Sequence, residues 1–206
     1  MLYLQTIDTK TLELLTRLMQ ITEFEKLNLV GGTSLALQIG HRKSIDLDLF
    51  GRVKFDDYKF KSILSQFDSV QLLNQTSHIK TYLINKTKVD FVNYPFHWLE
   101  TFTIEKKIRL ATKTDIAAMK LAAITGRGTK KDFIDIFFLL EYYSLEEIIR
   151  FYHQKFPDGS EFMVLKSLVY FEDAEKEPLP VMLKKTNWNV VKSKIVFETK
   201  SFIKSR

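Results

Sequence analysis

Two aspartates, Asp46 and Asp48, stand in the segment Ile45-Asp46-Leu47-Asp48-Leu49-Phe50, where apolar and acidic residues alternate. That period predicts a strand over 45–50. On a strand, residues i and i+2 share a face with Cα atoms about 6.6 Å apart. The two carboxylates could therefore lean together onto one or two hard cations, while Ile45, Leu47 and Leu49 anchor the opposite face in a core. Like charges on a half-buried strand repel, so a compensating positive charge is expected. An exposed strand can show the same alternation with no metal at all, and the pair by itself leaves both readings open.

Fifteen residues before Asp46 lies Val30-Gly31-Gly32-Thr33-Ser34. Here a short strand, 27–30, passes through two glycines into a helix expected over 33–39 and closed by Gly40. Such a junction leaves free backbone N–H groups and the positive end of a helix at one spot, a natural seat for phosphate. Gly31 and Gly32 allow close approach, and the Thr33 and Ser34 hydroxyls can add hydrogen bonds. The segment is not a P-loop, which needs G-K-[ST], nor a dinucleotide fingerprint. The plainer reading is a tight turn with a threonine cap.

A phosphate seat beside paired carboxylates is what metal-assisted phosphoryl or nucleotidyl transfer requires, because magnesium takes its oxygens from one or two carboxylates and from substrate phosphates. Two such ions can hold both the attacking and the leaving oxygen. Asp90 supplies a third acid in the apolar strand Lys88-Val89-Asp90-Phe91-Val92; alternatively it is an edge-strand acid paired near Lys88. Between the two motifs, Arg42 could clamp a phosphate in bidentate fashion. Ser44 could serve a phosphate or a metal-bound water, and His41 reads as structural. Farther on, Lys120 is alone among the apolar residues of 116–124, either snorkelling or aimed into a polar cleft. Asp132 and Asp135 share a helix face, and Lys131 could pair with Asp135.

The elements that must position these groups change character along the chain. Helices are expected over 9–21, capped by Thr9 or Thr11, and over 55–67. Strands are expected over 69–73, 79–84 and 88–92, with a hairpin turn at Asn85-Lys86. From about residue 112 the period is helical: 114–125, 131–142, 144–156, 160–170 and 189–203, with a loop over 172–180. The expectation is an α+β fold: residues 1–105 a mixed sheet flanked by helices, residues 106–206 a helical domain completing the cleft.

Composition bounds the rest. With 45 % apolar and 27 % charged residues, the 206-residue chain reads as globular. It has no cysteine, so disulfides, thiolate metal sites and a cysteine nucleophile are excluded, and a reducing cytoplasm suits it. No secretory signal or membrane-length apolar run is visible, and no membrane partner is expected. The +6 net charge sits in residues 184–206, which hold seven basic residues against Glu198 alone. That tail is either a nucleic-acid footprint or an amphipathic helix with Val190, Val191, Ile195, Phe202 and Ile203 packed down.

The ordered set Gly31-Gly32-Thr33-Ser34-Leu35-Ala36-Leu37, His41-Arg42-Lys43-Ser44-Ile45-Asp46-Leu47-Asp48-Leu49-Phe50, Met119-Lys120-Leu121-Ala122-Ala123, Arg127, Lys131-Asp132-Phe133-Ile134-Asp135 and Tyr170-Phe171-Glu172-Asp173-Ala174-Glu175 resembles the AbiEii/AbiGii-type nucleotidyltransferase toxins. The resemblance implies a minimal polymerase-β-like core and a helical C-terminal domain. It implies transfer of a nucleotide from an NTP to transfer RNA with Mg2+, two ions, and an antitoxin as partner. By it Asp46, Asp48 and Asp90 hold the metal, Lys120 meets the nucleotide phosphates, and Asp132 or Asp135 is the late acid. Thr33 stands where the wider superfamily usually has serine, which keeps the hydroxyl. The alternatives are a catalytically inactive nucleotide-binding module acting through a partner, or a nucleotidyltransferase that modifies a small molecule or a protein.

Overall fold

A computed structural model of the chain describes residues 1–54 and 56–206; Phe55, where the helix over 55–67 was expected to begin, lies outside the described residues. The chain divides into one unit of residues 1–95 and 102–111 and another of residues 96–101 and 112–206.

The first unit is built on a seven-stranded mixed sheet. Its strands are β1 (Asn28–Leu29), β2 (Leu47–Gly51), β3 (Val70–Gln75), β4 (Ile79–Ile84), β5 (Thr87–Asn93), β6 (Thr103–Glu105) and β7 (Ile108–Leu110). The spatial order is β3-β4-β5-β2-β1-β7-β6. β2 runs parallel to β5, and β1 runs parallel to β7. One face carries Leu47, Leu49, Val89 and Phe91, all buried, against Leu14, Leu15 and Leu18 of α1 (Thr9–Gln20) and Phe60 and Leu64 of α3 (Asp57–Leu64). The strict period of two in both strands is what frees the opposite face for Asp48 and Asp90.

Several local expectations change. Asp8, not Thr9 or Thr11, caps α1: its Oδ1 accepts from Thr11 N at 2.9 Å. Ile45 precedes β2 and is 62 % exposed, so Leu47 and Leu49 alone anchor the strand. The Asn85-Lys86 turn has both residues at positive φ, 49° and 70°, which suits a two-residue hairpin. A second hairpin, β6–β7, turns on Lys106 and Lys107 at φ 51° and 65°. It carries Arg109, whose guanidinium donates to the carbonyls of Met19, Phe24 and Leu27, each at 2.9 Å.

The second unit is helical: α4 (Lys113–Gly126), α5 (Lys130–Leu139), α6 (Leu145–Lys155), α7 (Glu161–Leu168), the short α8 (Glu172–Glu175) inside the expected loop, and α9 (Trp188–Lys204). A buried ion pair is among the contacts that tie residues 96–101 to it. Lys155 Nζ lies 2.7 Å from Asp115 Oδ1, donates to the His97 carbonyl at 2.8 Å and sits 4.4 Å above the Trp98 ring. Asp115 in turn accepts from the backbone of Leu99 and Glu100. α9 buries Val191, Ile195, Thr199 and Phe202, while Val190 and Ile203 are about half exposed. Among the described residues no helix is long and apolar enough to cross a membrane.

Candidate active site

The glycine junction and the acidic strand meet in the first unit. α2 (Gly31–Ile39) starts directly after β1, and Val30 N donates to the Asp48 carbonyl at 2.9 Å, so the helix start is tied to β2 at the acid itself. Gly31 has φ +65°, and a Cβ there would collide with Asp48 Oδ2. A Cβ on Gly32 would collide with the Arg42 guanidinium. A Cβ at either position would make the tip of that side chain shift, and at Gly31 the left-handed φ adds strain of its own.

Asp48 and Asp90 are register partners on the parallel strands β2 and β5, and Thr81 on β4 is the partner of Asp90 on its other side. The three form one row across the sheet. Asp90 Oδ1 accepts from Thr81 Oγ1 at 2.6 Å, and its Oδ2 lies 2.8 Å from Lys88 Nζ. Asp46 sits just before β2. The Thr33 hydroxyl bonds the Asp46 carbonyl and lies 2.8 Å from Ser44 Oγ, so Thr33 fixes the approach to the strand.

Lys88 brings positive charge to the acids through Asp90. Burial works against its ammonium, but the hydrogen bond to Asp90 and the charges of Asp90, Asp48 and Asp46 outweigh it and hold its pKa above the ordinary lysine value. Sequence reasoning had treated Lys88 only as a neighbour of Asp90; the register across the sheet is what makes it part of the site.

Other expected site residues lie where they support the turn. Thr33, Ser34 and Arg42 are buried. Ser34 Oγ faces the Ala111 carbonyl and Gln38 inside the unit, and Arg42 Nη1 donates to the Lys43 carbonyl at 3.1 Å. Ser44 is half-buried, with its N–H on the Thr6 carbonyl. His41 is fully buried.

Lys120, Asp132 and Asp135 come together in the second unit. Lys120 Nζ lies 2.8 Å from Asp132 Oδ1 and 2.6 Å from Asp135 Oδ2. Lys120 therefore takes the place expected for Lys131, which is exposed. Asp132 also closes a capping box with Thr129 at the start of α5. Burial tends to raise its pKa, yet the charge and hydrogen bond of Lys120 and the Thr129 hydroxyl hold it below the ordinary value against the charge of Asp135.

The donor chemistry of the first unit fits a hard divalent cation. Its oxygens are carboxylates, Asp48 Oδ2 lies against Gly31, and the Lys88 ammonium lies in the field of all three acids. Among the described residues no three acids converge as a ready-made shell, and magnesium asks for only one or two from a protein.

The family described as the nucleotidyl transferase AbiEii toxin of a type IV toxin–antitoxin system matches residues 13–202. The chain belongs to the AbiEii nucleotidyltransferase family. An uncharacterized Aquifex aeolicus protein, aq_aa25, is 36 % identical over 157 residues, 72 % of this chain and 75 % of that one. The AbiEii fold here is similar to two Helicobacter pylori crystal structures at 16 % identity and TM-score 0.60. One, described as a candidate nucleotidyltransferase, is covered over 96 % of each chain; the other, JHP933, over 97 % of this chain and 94 % of that one. As an AbiEii member the chain is a nucleotidyltransferase with a mixed sheet and C-terminal helices.

Proposed function

We propose that the chain transfers a nucleotide from an NTP to an RNA acceptor, with transfer RNA the leading candidate, in a reaction that depends on magnesium. The reading is carried by one observation: Asp48 and Asp90 lie side by side on parallel strands, and Asp48 Oδ2 sits against Gly31 at the start of α2. When bound, magnesium polarises the phosphoryl oxygens and stabilises the leaving pyrophosphate. The chain's own groups orient the reactants. Asp46, Asp48 and Asp90 present oxygens to the cation, and the α2 N–H groups receive phosphate. The acceptor hydroxyl oxygen bonds to the α-phosphorus as the bond to the β-phosphate breaks, and its proton leaves to a carboxylate or water. Lys120, with Asp132 or Asp135, is assigned to the reaction by family alone, and its ammonium pairs with both carboxylates.

The match to a type IV toxin–antitoxin family supports a toxin role with an antitoxin partner. The basic tail adds little to the RNA reading. Lys184, Lys192, Lys194 and Arg206 are each paired with an acid: Glu141, Glu175, Glu198 and Glu161. The test is incubation of the protein with each α-labelled NTP, magnesium and total cellular RNA. Label on tRNA that disappears with a chelator is expected. Label on protein or a small molecule instead would replace the RNA acceptor, and no NTP consumption with any acceptor would point to an inactive binding module.

A further inference from the structure

Lys88 and Asp90 share one face of β5, and Asp46 and Asp48 share the matching face of the chain entering and following β2. The register pairs Leu47 with Val89 and Asp48 with Asp90, so Lys88 precedes the first pairing on one strand as Asp46 does on the other. The ammonium binds Asp90 Oδ2 at 2.8 Å and lies in the electrostatic field of Asp48 and Asp46 as well. Its side chain is 46 % exposed, so it can swing away without leaving a buried hole. Asp90 stays oriented when it does, because Thr81 holds the other carboxylate oxygen.

We propose that Lys88 is a built-in counter-cation of the acidic site, a positioning residue that sets how tightly a divalent metal binds there. The inference rests on the metal-dependent reading above and adds a residue to it. Without metal, the ammonium relieves the repulsion among three carboxylates. With metal on the same carboxylates, it is a like charge close by and lowers the metal's affinity. A unit charge roughly 6 Å from a divalent ion weakens binding roughly tenfold even at the dielectric constant of water. The site would thus fill mainly when an NTP brings phosphates that add negative charge.

The test is Mn2+ binding, followed by the EPR signal of the free ion, to the wild type and to Lys88→Met and Lys88→Arg in the absence of NTP. The Met variant is expected to bind Mn2+ roughly tenfold more tightly, and the Arg variant to stay near the wild type. Unchanged or weaker binding by Lys88→Met, with the wild type binding normally, overturns the role of Lys88 and leaves the metal reading standing. No Mn2+ binding by the wild type overturns both. Should the Met variant fail to fold, the Lys88 ammonium 15N signal of the wild type is followed through a Mg2+ titration. It is expected to shift along the binding isotherm, and a signal that does not move overturns the proposal.

Discussion

Asp48 and Asp90 stand directly opposite one another on parallel strands, with Thr81 completing the row and Lys88 bonded to the outer acid. Two carboxylates that must share a small volume need a cation between or beside them. The amide variants Asp48→Asn and Asp90→Asn keep the shape and remove the charge. Each is expected to lower nucleotide transfer by at least about 100-fold, with far-UV circular dichroism unchanged. Full activity in either variant would remove that acid from the site.

The glycines of the junction make a separate prediction about stability. Gly31→Ala must hold φ +65° and collide with Asp48, while Gly32→Ala meets the buried Arg42 guanidinium. Each is expected to cost about 1–3 kcal/mol, read as a fall in thermal midpoint, and to reduce activity along with it. Gly126, the last residue of α4, has nothing within 4 Å of an added Cβ. Gly126→Ala should therefore leave the midpoint unchanged or raise it slightly. A midpoint for Gly31→Ala equal to that of Gly126→Ala would contradict the packing described.

The parts of this site that could be read from sequence are those written in local periodicity. Alternation around Asp46 and Asp48 showed which side chains share a face, and the glycine pair marked the strand-to-helix junction. What lay across the sheet could not be read, because register is set by pairing between segments some forty residues apart. Lys88 therefore entered only as a candidate partner of Asp90, without its relation to Asp46 and Asp48. Lys106 and Lys107 turn a hairpin with positive φ although neither is Gly or Asn, so the usual turn signal was missing. Lys120 offered two readings from its apolar surroundings, and only the arrival of α5 beside α4 selected the ion-paired one.

That triad makes stability depend on acid. Asp132 is held below the ordinary carboxylate pKa in the folded chain, so the unfolded chain takes up protons first as pH falls. The stabilisation is present in full above about pH 5 and is lost as pH drops through about 4 toward the lower folded value. Urea midpoints measured from pH 7 down to pH 3 should fall steeply in this range. Asp132→Asn should cost about 1–3 kcal/mol at pH 7 and flatten the acid limb. An acid limb equally steep in the variant would assign it to other carboxylates.

Lys155 and Asp115 give a contrasting case of buried charge. Burial pulls the Lys155 pKa below the ordinary value even though Asp115 pulls it back up, so desolvation outweighs the pairing at this ammonium. The pair anchors residues 97–100 to the helical unit rather than serving as a strong net source of stability. Lys155→Met alone leaves the Asp115 carboxylate buried without its cation and is expected to cost about 3–5 kcal/mol. Adding Asp115→Asn removes that stranded charge while the amide oxygen can still accept from Leu99 N. The double variant should accordingly be more stable than Lys155→Met, by about 1–2 kcal/mol. Equal stability of the single and double variants would mean that the Asp115 charge is answered by its backbone donors, and that Lys155 acts only through the His97 carbonyl and the Trp98 ring.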